Sequence, residues 1–418
     1  MMMCYNKTIK HEEDHMITVA ILGMGARGFT YAQAIGEIED AKITHVCEVN
    51  PIKKEFIKKM FGIEEKNYYF SDDEFLSRGK LADILIISTM DQWHYKHVMK
   101  ALDLGYDILL EKPIASTEKQ CQEIAEKTKK LNRKVAICHV LRYTPFYNKL
   151  KELIDRDTIG KVRSITQTEN VGYYHYAHSY VRGNWHRGDL TSPMVVAKSC
   201  HDFDIIKWLI GAHCTAISSF GNLDYFKKEN APVGSAENCY QCKIDCPYNA
   251  INFYKENPRW FMIFSLDPDV EKVLSNPDHP YGKCVYHCDN NVVDNQIINM
   301  MFDNNAVAQL NMTAFSNKMH RNLKIHGTHG EIEGDLEDMT ITIAIFGGKA
   351  EKIDIANSAS DFSGHSGGDK RMIKDLINNV KNKQDEIALT DIFEALESHQ
   401  MAFKAEESRL SGGQVKRI

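Results

Sequence analysis

Residues 17–28, ITVAILGMGARG, decide the fold of this chain. The first six residues are apolar or β-branched and predict a buried strand. Gly23, Gly25 and Gly28 follow at the spacing G-x-G-x-x-G, and a helix-like stretch runs on to Ile38. Twenty positions beyond Gly28, Glu48 stands at the end of the next apolar run. A strand, a glycine loop, a helix and then an acidic residue are the sequence pattern of a Rossmann unit that binds a dinucleotide.

This pattern assigns a role to each part of the loop. The glycines allow a tight turn and a close backbone approach, and the helix that opens at Ala26 and Arg27 presents its N-terminus to a pyrophosphate. Glu48 would accept hydrogen bonds from the adenosine ribose hydroxyls and repel a 2′-phosphate. The sequence therefore predicts NAD as the cofactor rather than NADP. The alternative is a plain strand–turn–helix with a solvated glutamate.

The rhythm of apolar runs predicts the fold class. Up to about Arg142, short β-branched runs alternate with helical segments, which is typical of a parallel sheet covered on both faces. After Thr144 the sequence predicts a helix over 146–154, a strand over 162–171, an aromatic and polar loop over 169–189 and a helix over 201–210 that Gly211 ends. Alternating strands follow near 292–302, 306–315, 322–327 and 339–346, with a hairpin at Asp303–Asn305, and helices near 369–382 and 390–408. The predicted fold is α/β, with an N-terminal Rossmann domain and a C-terminal α/β domain whose open sheet is largely antiparallel.

These segments divide the chain into regions. We expect a polar N-terminal extension over residues 1–15, a Rossmann domain over 16–142 and a substrate-binding and oligomerisation domain over 143–418. The last of these carries a cysteine-rich insertion at about 231–290. Met16, where the first periodic apolar segment begins, could be the true start.

The composition excludes several classes of protein. The chain has 418 residues, of which 43% are hydrophobic and 26% charged, and its net charge is −6. This is ordinary globular usage without the positive field that gathers nucleic acid. The longest apolar runs, such as residues 84–87, are far shorter than the ~20 residues that cross a bilayer. We therefore expect neither a nucleic-acid nor a membrane partner.

Cysteine usage bears on the compartment. Eleven cysteines are an odd number, and the polar first fifteen residues lack the apolar stretch of a secretory peptide. Both features favour reduced thiols and a cytoplasmic location over a disulfide framework.

Two further motifs identify a family. Thr89, Trp93 and His94 follow the third predicted strand, and Glu111-Lys112-Pro113 follows the fourth. The run 198–211, KSCHDFDIIKWLIG, opens a helix in the second half. With the glycine loop, these stretches resemble the Gfo/Idh/MocA family of glucose-fructose oxidoreductases, inositol dehydrogenases and rhizopine catabolism proteins. The resemblance implies that Glu111 and Lys112 face the nicotinamide, that the loop of Thr89, Trp93 and His94 belongs to the cofactor site, and that the helix carries a catalytic histidine. It also implies a cis peptide before Pro113.

Hydride transfer from a hydroxyl carbon also needs a group that takes the hydroxyl proton. Lys112 could polarise the oxygen or act as acid or base, and His201 is suited to shuttle the proton. The alternatives are a solvated lysine and a histidine that caps its own helix. The family's usual motif has Asp four residues before the histidine, where this chain has Ala197. We expect Lys198 to take over the task of the missing carboxylate.

The aromatic segment 169–189 contains the candidate substrate residues Tyr173, His175, His178, Arg182 and Trp185. Rings and hydrogen-bond donors at this density suit a sugar, glycoside or cyclitol. An aromatic surface loop or a contact in a homodimer or homotetramer is the alternative. His365, in a glycine-rich stretch, resembles a segment that the family places near its pocket.

The insertion contains a cluster of cysteines. Cys239, Cys242 and Cys246 lie within eight residues, and Cys284 is a fourth candidate ligand. This set predicts a structural zinc site. An iron–sulfur cluster, a disulfide and free thiols are the alternatives. Cys288 is not among the predicted ligands, and we expect it to face the substrate instead.

The sequence leaves three candidate functions. The first is an NAD-dependent oxidoreductase acting on a hydroxyl carbon of a sugar, glycoside or cyclitol. The second is a glycosidase with tightly bound NAD that oxidises, eliminates and reduces, using Tyr173, His175 or His178 as its base. The third, a non-catalytic NAD-binding regulator, is disfavoured by the retained Lys112 and His201.

Overall fold

The computed structural model describes residues 16–356 and 366–418. The predicted extension over residues 1–15 and the stretch with His365 lie outside these described residues.

The first sheet is parallel and has the strand order β3-β2-β1-β4-β5-β6. Its strands alternate with helices, as the sequence pattern predicts. Every residue of β4 is fully buried, because helices cover both faces of a parallel sheet. The strands are β1 Ile17–Leu22, β2 Ala41–Cys47, β3 Tyr68–Tyr69, β4 Ile84–Ile87, β5 Asp107–Leu110 and β6 Val135–Ile137. The helices are α1 Ala26–Gly36, α2 Lys54–Phe61, α3 Asp72–Ser77, α4 Asp91–Asp103 and α5 Glu118–Lys130.

The second sheet is mixed and mostly antiparallel, and its order is β14-β13-β12-β11-β7-β10-β9-β8-β15. Only the β7–β10 pair among these described strands is parallel. The hairpin of Asp303–Asn305 joins β9 to β10 as predicted, with Asn305 at a φ of 64°. The strands are β7 Val162–Asn170, β8 Cys214–Asn222, β9 Asn295–Phe302, β10 Val307–Thr313, β11 His320–Gly327, β12 Gly330–Asp335, β13 Thr340–Ile345, β14 Glu351–Asp354 and β15 Lys416–Arg417.

The α-helices of the second half are α6 Pro145–Asp155, α7 Tyr173–Tyr176, α8 Met194–Ala197, α9 Cys200–Ile210, α10 Ala250–Glu256, α11 Pro258–Phe261, α12 Val270–Leu274, α13 Gly368–Lys381 and α14 Ile392–Leu410. Gly211 ends α9 in a left-handed conformation, as predicted. Helices α6, α9 and α14 share a core with one face of the second sheet. Helix α13 packs into the core of the first sheet, and α14 contributes to the cores of both sheets.

The predicted loop over 169–189 is wrong in its centre. Residues 173–176 form an α-turn, and a π-helix continues from Ala177 to Arg182. Tyr176, Ala177, Tyr180 and Val181 are buried together. Their spacing is that of one helix face, and packing of this face drives the segment into a helix.

The cysteine-rich insertion has a small hydrophobic core of its own. Helices α10, α11 and α12 surround Tyr254, Phe261 and Leu274. Within residues 16–356 and 366–418, no helix combines the length and apolar character that crossing a bilayer requires.

Candidate functional site

One large cavity, of about 1110 Å³, contains the glycine loop and residues from both halves of the chain. The carboxyl ends of β1, β2 and β4 reach it through Leu22, Cys47 and Ser88. In a doubly wound sheet this edge, where the strand order reverses at β1 and β4, is where ligands bind. The second half contributes Glu169 from β7 and His201 from α9.

The glycine loop has the geometry that the sequence predicts. Gly23 has a φ of +97°, and a Cβ on Gly28 would lie 2.0 Å from the carbonyl oxygen of Gly23, so both positions require glycine. A Cβ on Gly25 would meet open space at the cavity. Gly28 therefore serves helix–strand packing, while Gly25 leaves room for close approach of a ligand. Ala26 and Arg27 begin α1 at the same edge of the cavity.

Glu48 lies beside this loop and is largely buried. Its carboxylate accepts hydrogen bonds from the backbone N–H groups of Met24, at 3.0 Å, and Asn50, at 2.9 Å. The ammonium of Lys53 lies 3.7 Å from the same carboxylate. Glu48 is thus held as an anion at the cavity edge, where an adenosine ribose would lie.

The loop after β4 brings Thr89 to the cavity, and the first turn of α4 brings Trp93. The predicted loop placement of Trp93 and His94 is wrong, because α4 begins at Asp91. His94 instead lies beneath the cavity, with Nδ1 at 2.8 Å from the Pro113 carbonyl and Nε2 at 3.0 Å from the Thr89 carbonyl. It ties the two cofactor-side loops together. Asp91 also borders the cavity, and both oxygens of its buried carboxylate have no hydrogen-bond partner among the described residues.

Glu111 and Arg27 form a buried ion pair at 2.7 Å. Arg27 also binds Asp369 of α13 at 2.5 Å, and the hydroxyl of Tyr31 donates to Glu111. Burial raises the pKa of Glu111, but Arg27 and Lys112 outweigh this effect and hold it below its ordinary value. Both residues line the cavity, and their side chains brace the loop that presents Lys112.

Lys112 follows β5 and precedes a cis peptide bond to Pro113, which confirms the expected isomer. Its Nζ atom donates a hydrogen bond to the carbonyl oxygen of Ala197, 2.9 Å away. The residue that replaces the usual Asp therefore holds the ammonium through its backbone.

His201 lies in the first turn of α9 and borders the same cavity as Lys112. Its Nδ1 is 3.4 Å from Nδ1 of His139, a fully buried residue that follows β6. Burial lowers the pKa of His139, although Asp204 nearby raises it. Asp204 forms a two-point ion pair with Arg142 at 2.8 and 2.7 Å. A neutral imidazole thus stands directly behind His201.

Lys198 belongs to a second buried charge network under the cavity. Its Nζ is 3.2 Å from Glu169, which also pairs with Arg321 at 2.5 Å. Arg321 reaches Asp202 of α9 at 3.1 Å. Burial lowers the pKa of Lys198 despite Glu169, and the neighbouring cations Arg321 and Lys112 lower it further. Burial raises the pKa of Asp202 against the attraction of Arg321.

The predicted substrate residues separate into two groups. His175, His178 and Trp185 line the cavity. Tyr173 packs against Tyr248 of the insertion, with ring centroids 5.9 Å apart. The guanidinium of Arg182 donates to the carbonyls of Lys283 and Tyr248, both at 2.6 Å, and contacts the sulfur of Cys239 at 3.6 Å. Because these bonds occupy Arg182 inside the insertion, the structure does not bring it to the cavity.

Several residues that line the cavity were not predicted from the sequence. They are the charged residues Glu169, Arg321 and Glu337, and Trp260, Ile263, Phe264 and Tyr281 of the insertion. The strand-end position of Glu169 and the aromatic residues of the insertion are the signals that could have indicated them.

The predicted zinc ligands Cys239, Cys242, Cys246 and Cys284 border one small cavity in the insertion. In the described part of the chain, however, only His320, Asp335 and Glu337 place three ligand atoms within 4.8 Å of one another. The thiols are therefore not gathered around a common point, and this geometry does not support a closed zinc site. Burial raises the pKa of Cys246 and Cys284, as expected for neutral thiols.

The cofactor side of the cavity fits a dinucleotide. Open space faces Gly25, the start of α1 lies beside it, and the Glu48 carboxylate is fixed next to the loop by the Met24 N–H. The unbonded carboxylate of Asp91 offers acceptors for hydroxyl groups further along the cavity. These features match the requirements of NAD in a Rossmann fold.

Comparison with known proteins agrees with this geometry. Residues 17–139 match the model of an oxidoreductase family with an NAD-binding Rossmann fold, and residues 151–416 match that family's C-terminal alpha/beta domain. YteT of Bacillus subtilis is 24% identical over 80% of this chain and 82% of its own length. An inositol 2-dehydrogenase/D-chiro-inositol 3-dehydrogenase of Lactiplantibacillus plantarum is 26% identical over 53% of this chain, and the match spans 60% of that enzyme.

A solved structure supports the fold. An oxidoreductase from Agrobacterium radiobacter in complex with NAD+, L-tartaric acid and magnesium superposes with a TM-score of 0.70 at 14% identity, covering 96% of this chain and 98% of that one. The two matched family models together span both sheets. The chain belongs to the Gfo/Idh/MocA family of NAD-binding oxidoreductases.

Proposed function

We propose that the protein is an NAD-dependent dehydrogenase that oxidises a hydroxyl-bearing carbon of a sugar, glycoside or cyclitol. The observation that carries this proposal is that Lys112 and His201 line the same cavity as the glycine loop. Acid–base groups and a dinucleotide site in one cavity are what this reaction requires.

The cofactor-side residues would hold NAD along the carboxyl edge of the first sheet. Gly23, Gly25 and the start of α1 would bind the pyrophosphate, Glu48 the adenosine ribose, and Thr89, Asp91 and Trp93 the nicotinamide half. When bound, NAD supplies the acceptor for a hydride from the substrate carbon.

Lys112 is positioned for the proton chemistry. The Ala197 carbonyl accepts one of its three ammonium hydrogens, which leaves two to contact a substrate oxygen. A cation beside a hydroxyl favours loss of its proton. We assign receipt of this proton to His201, whose Nδ1 lies 3.4 Å from Nδ1 of His139.

The charged floor of the cavity suits a polyhydroxylated ligand. Lys198, Glu169 and Arg321 border the cavity as a paired network. In this network Lys198 and Arg321 offer donors and Glu169 offers acceptors, so it can bind several hydroxyls. Lys198 is engaged with Glu169, and we assign it to substrate binding as well as to the role of the missing Asp.

A redox-assisted glycosidase remains the second candidate, and one observation favours it. His175 lines the cavity, its buried Nδ1 has no hydrogen-bond partner among the described residues, and burial lowers its pKa well below the ordinary value. An imidazole nitrogen without another partner can accept a proton from carbon, although the lowered pKa makes His175 a weak base. His178 is a weaker candidate, because its Nδ1 is already bonded to the Tyr254 hydroxyl at 2.7 Å.

The test is a screen of cyclitols, hexoses and alkyl glycosides with NAD, followed at 340 nm. Formation of NADH with at least one compound, and its loss in Lys112→Ala, supports a dehydrogenase. Failure of every compound, together with no measurable NAD binding by calorimetry, would refute the proposal.

We further propose a homo-oligomer, in which a second copy covers the outer face of the second sheet. Three neighbouring strands expose apolar side chains there, each with an exposed fraction between 44% and 62%. These residues are Phe220, Ile297, Met301 and Val307. A contiguous apolar patch is typical of an interface. Light scattering tests this, and a monomeric mass at micromolar concentration would refute it.

A structural zinc bound by Cys239, Cys242, Cys246 and Cys284 also stays a proposal, supported by their shared small cavity and by the ligand spacing. Because the sulfurs are not gathered in the described structure, binding requires their side chains to turn inward. The predicted cytoplasmic location likewise stays a prediction.

A further inference from the structure

The insertion contributes one side of the cavity. Trp260, Ile263, Phe264 and Tyr281 all line the space that contains Lys112 and His201. We call these four residues the apolar wall. They come from a segment with its own core, so the wall is a separate structural unit placed against the reaction site.

Ring packing holds the apolar wall in place. Phe264 and Tyr281 stack with centroids 4.0 Å apart and an angle of 8° between their planes. The ring of His178 stacks on Tyr281 at 4.8 Å and meets Trp260 edge-on at 4.9 Å. The hydrogen bond from the Tyr254 hydroxyl to Nδ1 of His178 joins the insertion to the helical segment 173–182. A wall fixed on both sides presents a preformed surface.

The cavity therefore has two chemically different parts. Lys112, Lys198, Glu169 and Arg321 form a charged part beside the reaction site. None of the four residues of the apolar wall is charged. A single polyhydroxylated ring needs the charged part, while the wall matches the flat face of another ring.

We propose that the apolar wall binds a second ring of the substrate, joined by a glycosidic bond to the sugar that reacts at Lys112. This inference rests on the proposed function, and it names the substrate as a glycoside rather than a free sugar or cyclitol. Ile263 is 41% exposed, which places it at the rim of the cavity, where a longer substrate would leave the site.

Direct binding tests the proposal without turnover. Calorimetry on the NAD-loaded enzyme compares the phenyl β-glycoside, the methyl β-glycoside and the β-linked disaccharide of glucose, galactose and xylose. In at least one series we expect the phenyl glycoside or the disaccharide to bind about 10-fold more tightly than the methyl glycoside, as stacking of one ring provides. A larger gain for phenyl identifies an aryl group as the second ring, and a larger gain for the disaccharide identifies a sugar.

Variants locate the effect. Trp260→Ala and Ile263→Asp should each reduce this ratio of affinities towards 1, while Trp260→Phe keeps most of it. Ile263 is exposed, so its substitution tests the wall even if Trp260→Ala impairs folding. Met262→Ala is the matched control, because Met262 is 63% exposed and neighbours the wall without belonging to it.

The proposal and the proposed function fail in different ways. Equal affinity for methyl glycoside, phenyl glycoside and disaccharide in all three series, or an equal loss for all ligands in Ile263→Asp, would overturn the role of the wall. Absence of NADH formation with every sugar, glycoside and cyclitol, together with no measurable NAD binding, would instead overturn the dehydrogenase assignment. A ratio of affinities that depends on Trp260 would still establish the second-ring site.

Discussion

The ammonium of Lys112 is held by the backbone carbonyl of Ala197 at 2.9 Å. The usual motif of the family has Asp at this position, four residues before the histidine. Here the nearest carboxylate of the cavity floor, Glu169, is engaged with Lys198 and Arg321 instead. Lys112 is thus oriented by a neutral acceptor, and we propose that the acid–base chemistry depends on Lys112 and His201 together.

Lys112→Ala should retain the fold and NAD binding and lose most turnover. Removal of a general acid or base typically costs ~100- to 10,000-fold in rate. Steady-state kinetics and NAD calorimetry measure the two effects separately. Lys119→Ala, at a lysine whose side chain is 84% exposed, is the control and should behave as wild type. Full activity in Lys112→Ala would place the proton chemistry elsewhere.

Glu48 should set the preference for NAD, because its buried carboxylate opposes a 2′-phosphate. Glu48→Ser should weaken NAD binding by about 10-fold, as loss of a charged acceptor does, and strengthen NADP binding. Lys53, 3.7 Å from Glu48, then loses this carboxylate, keeps its bond to the Met24 carbonyl and can donate another hydrogen bond to the phosphate. Adding Lys53→Ser should abolish the gain for NADP. Tighter binding of NADP than of NAD by the wild type would contradict the role of Glu48.

His399 should make stability depend on pH. It donates from Nδ1 to the Ala395 carbonyl and accepts at Nε2 from the Ile114 N–H, and burial lowers its pKa from 6.5 to about 3. This lowered pKa includes smaller contributions from His139 and Lys112, which also lower it, and from the Ala395 hydrogen bond and Asp204, which raise it. Between pH 3 and pH 6.5, His399 binds a proton in the unfolded chain but not in the folded chain. The free energy of unfolding therefore falls as pH decreases from 6.5 towards 3.

His399→Gln should flatten this dependence by up to ~1.4 kcal/mol per pH unit within that window, measured by urea denaturation at several pH values. His213→Gln is the control, because His213 is exposed and Glu397 raises its pKa. Its substitution should not flatten the slope. An unchanged slope in His399→Gln would show that His399 is not buried as a neutral ring.

Metal analysis decides the role of the thiol cluster. We expect about one zinc per chain in protein purified without added metal, and its loss in Cys242→Ser, since a tetrahedral thiolate site needs all four ligands. Cys121→Ser, at a buried cysteine of α5, should keep the metal. Protein that contains no zinc and whose clustered cysteines are rapidly alkylated in the native state would establish free thiols.

The sequence predicted the parts of the fold that are determined locally. Strand β1, the glycine loop and α1 are consecutive, and Gly23 and Gly28 occupy positions that leave no space for a side chain. Strand β12 was missed because Gly330 and Gly334 are typical of turns. In the structure a Cβ on Gly334 would lie 2.8 Å from the ring of Phe146, so this glycine makes room for α6. Such a requirement arises from tertiary packing and leaves no local pattern.

The site residues that belong to local sequence motifs were likewise predicted, and those brought together by tertiary contacts were not. Lys112 and His201 belong to motifs, whereas Glu169 and Arg321 are joined only by the pairing of β7 with β11. Arginine is a residue type common in sugar-binding sites, and the sequence therefore predicted Arg182 as a substrate residue. In the structure Arg182 instead donates to the carbonyls of Lys283 and Tyr248, because the insertion packs against it. Contacts between distant segments decide which polar residues face a cavity, and composition alone does not determine them.

The fate of the hydride tests the central claim most directly. The substrate found in the screen is prepared with deuterium on its reacting carbon and incubated with NAD in ordinary water. We predict one reduced cofactor per product, with the deuterium on the nicotinamide. A parallel reaction of unlabelled substrate in D2O should leave no solvent deuterium in the sugar. Product without net NADH, together with solvent deuterium at the neighbouring carbon when the reaction is run in D2O, would contradict a dehydrogenase and identify an oxidation–elimination–reduction cycle.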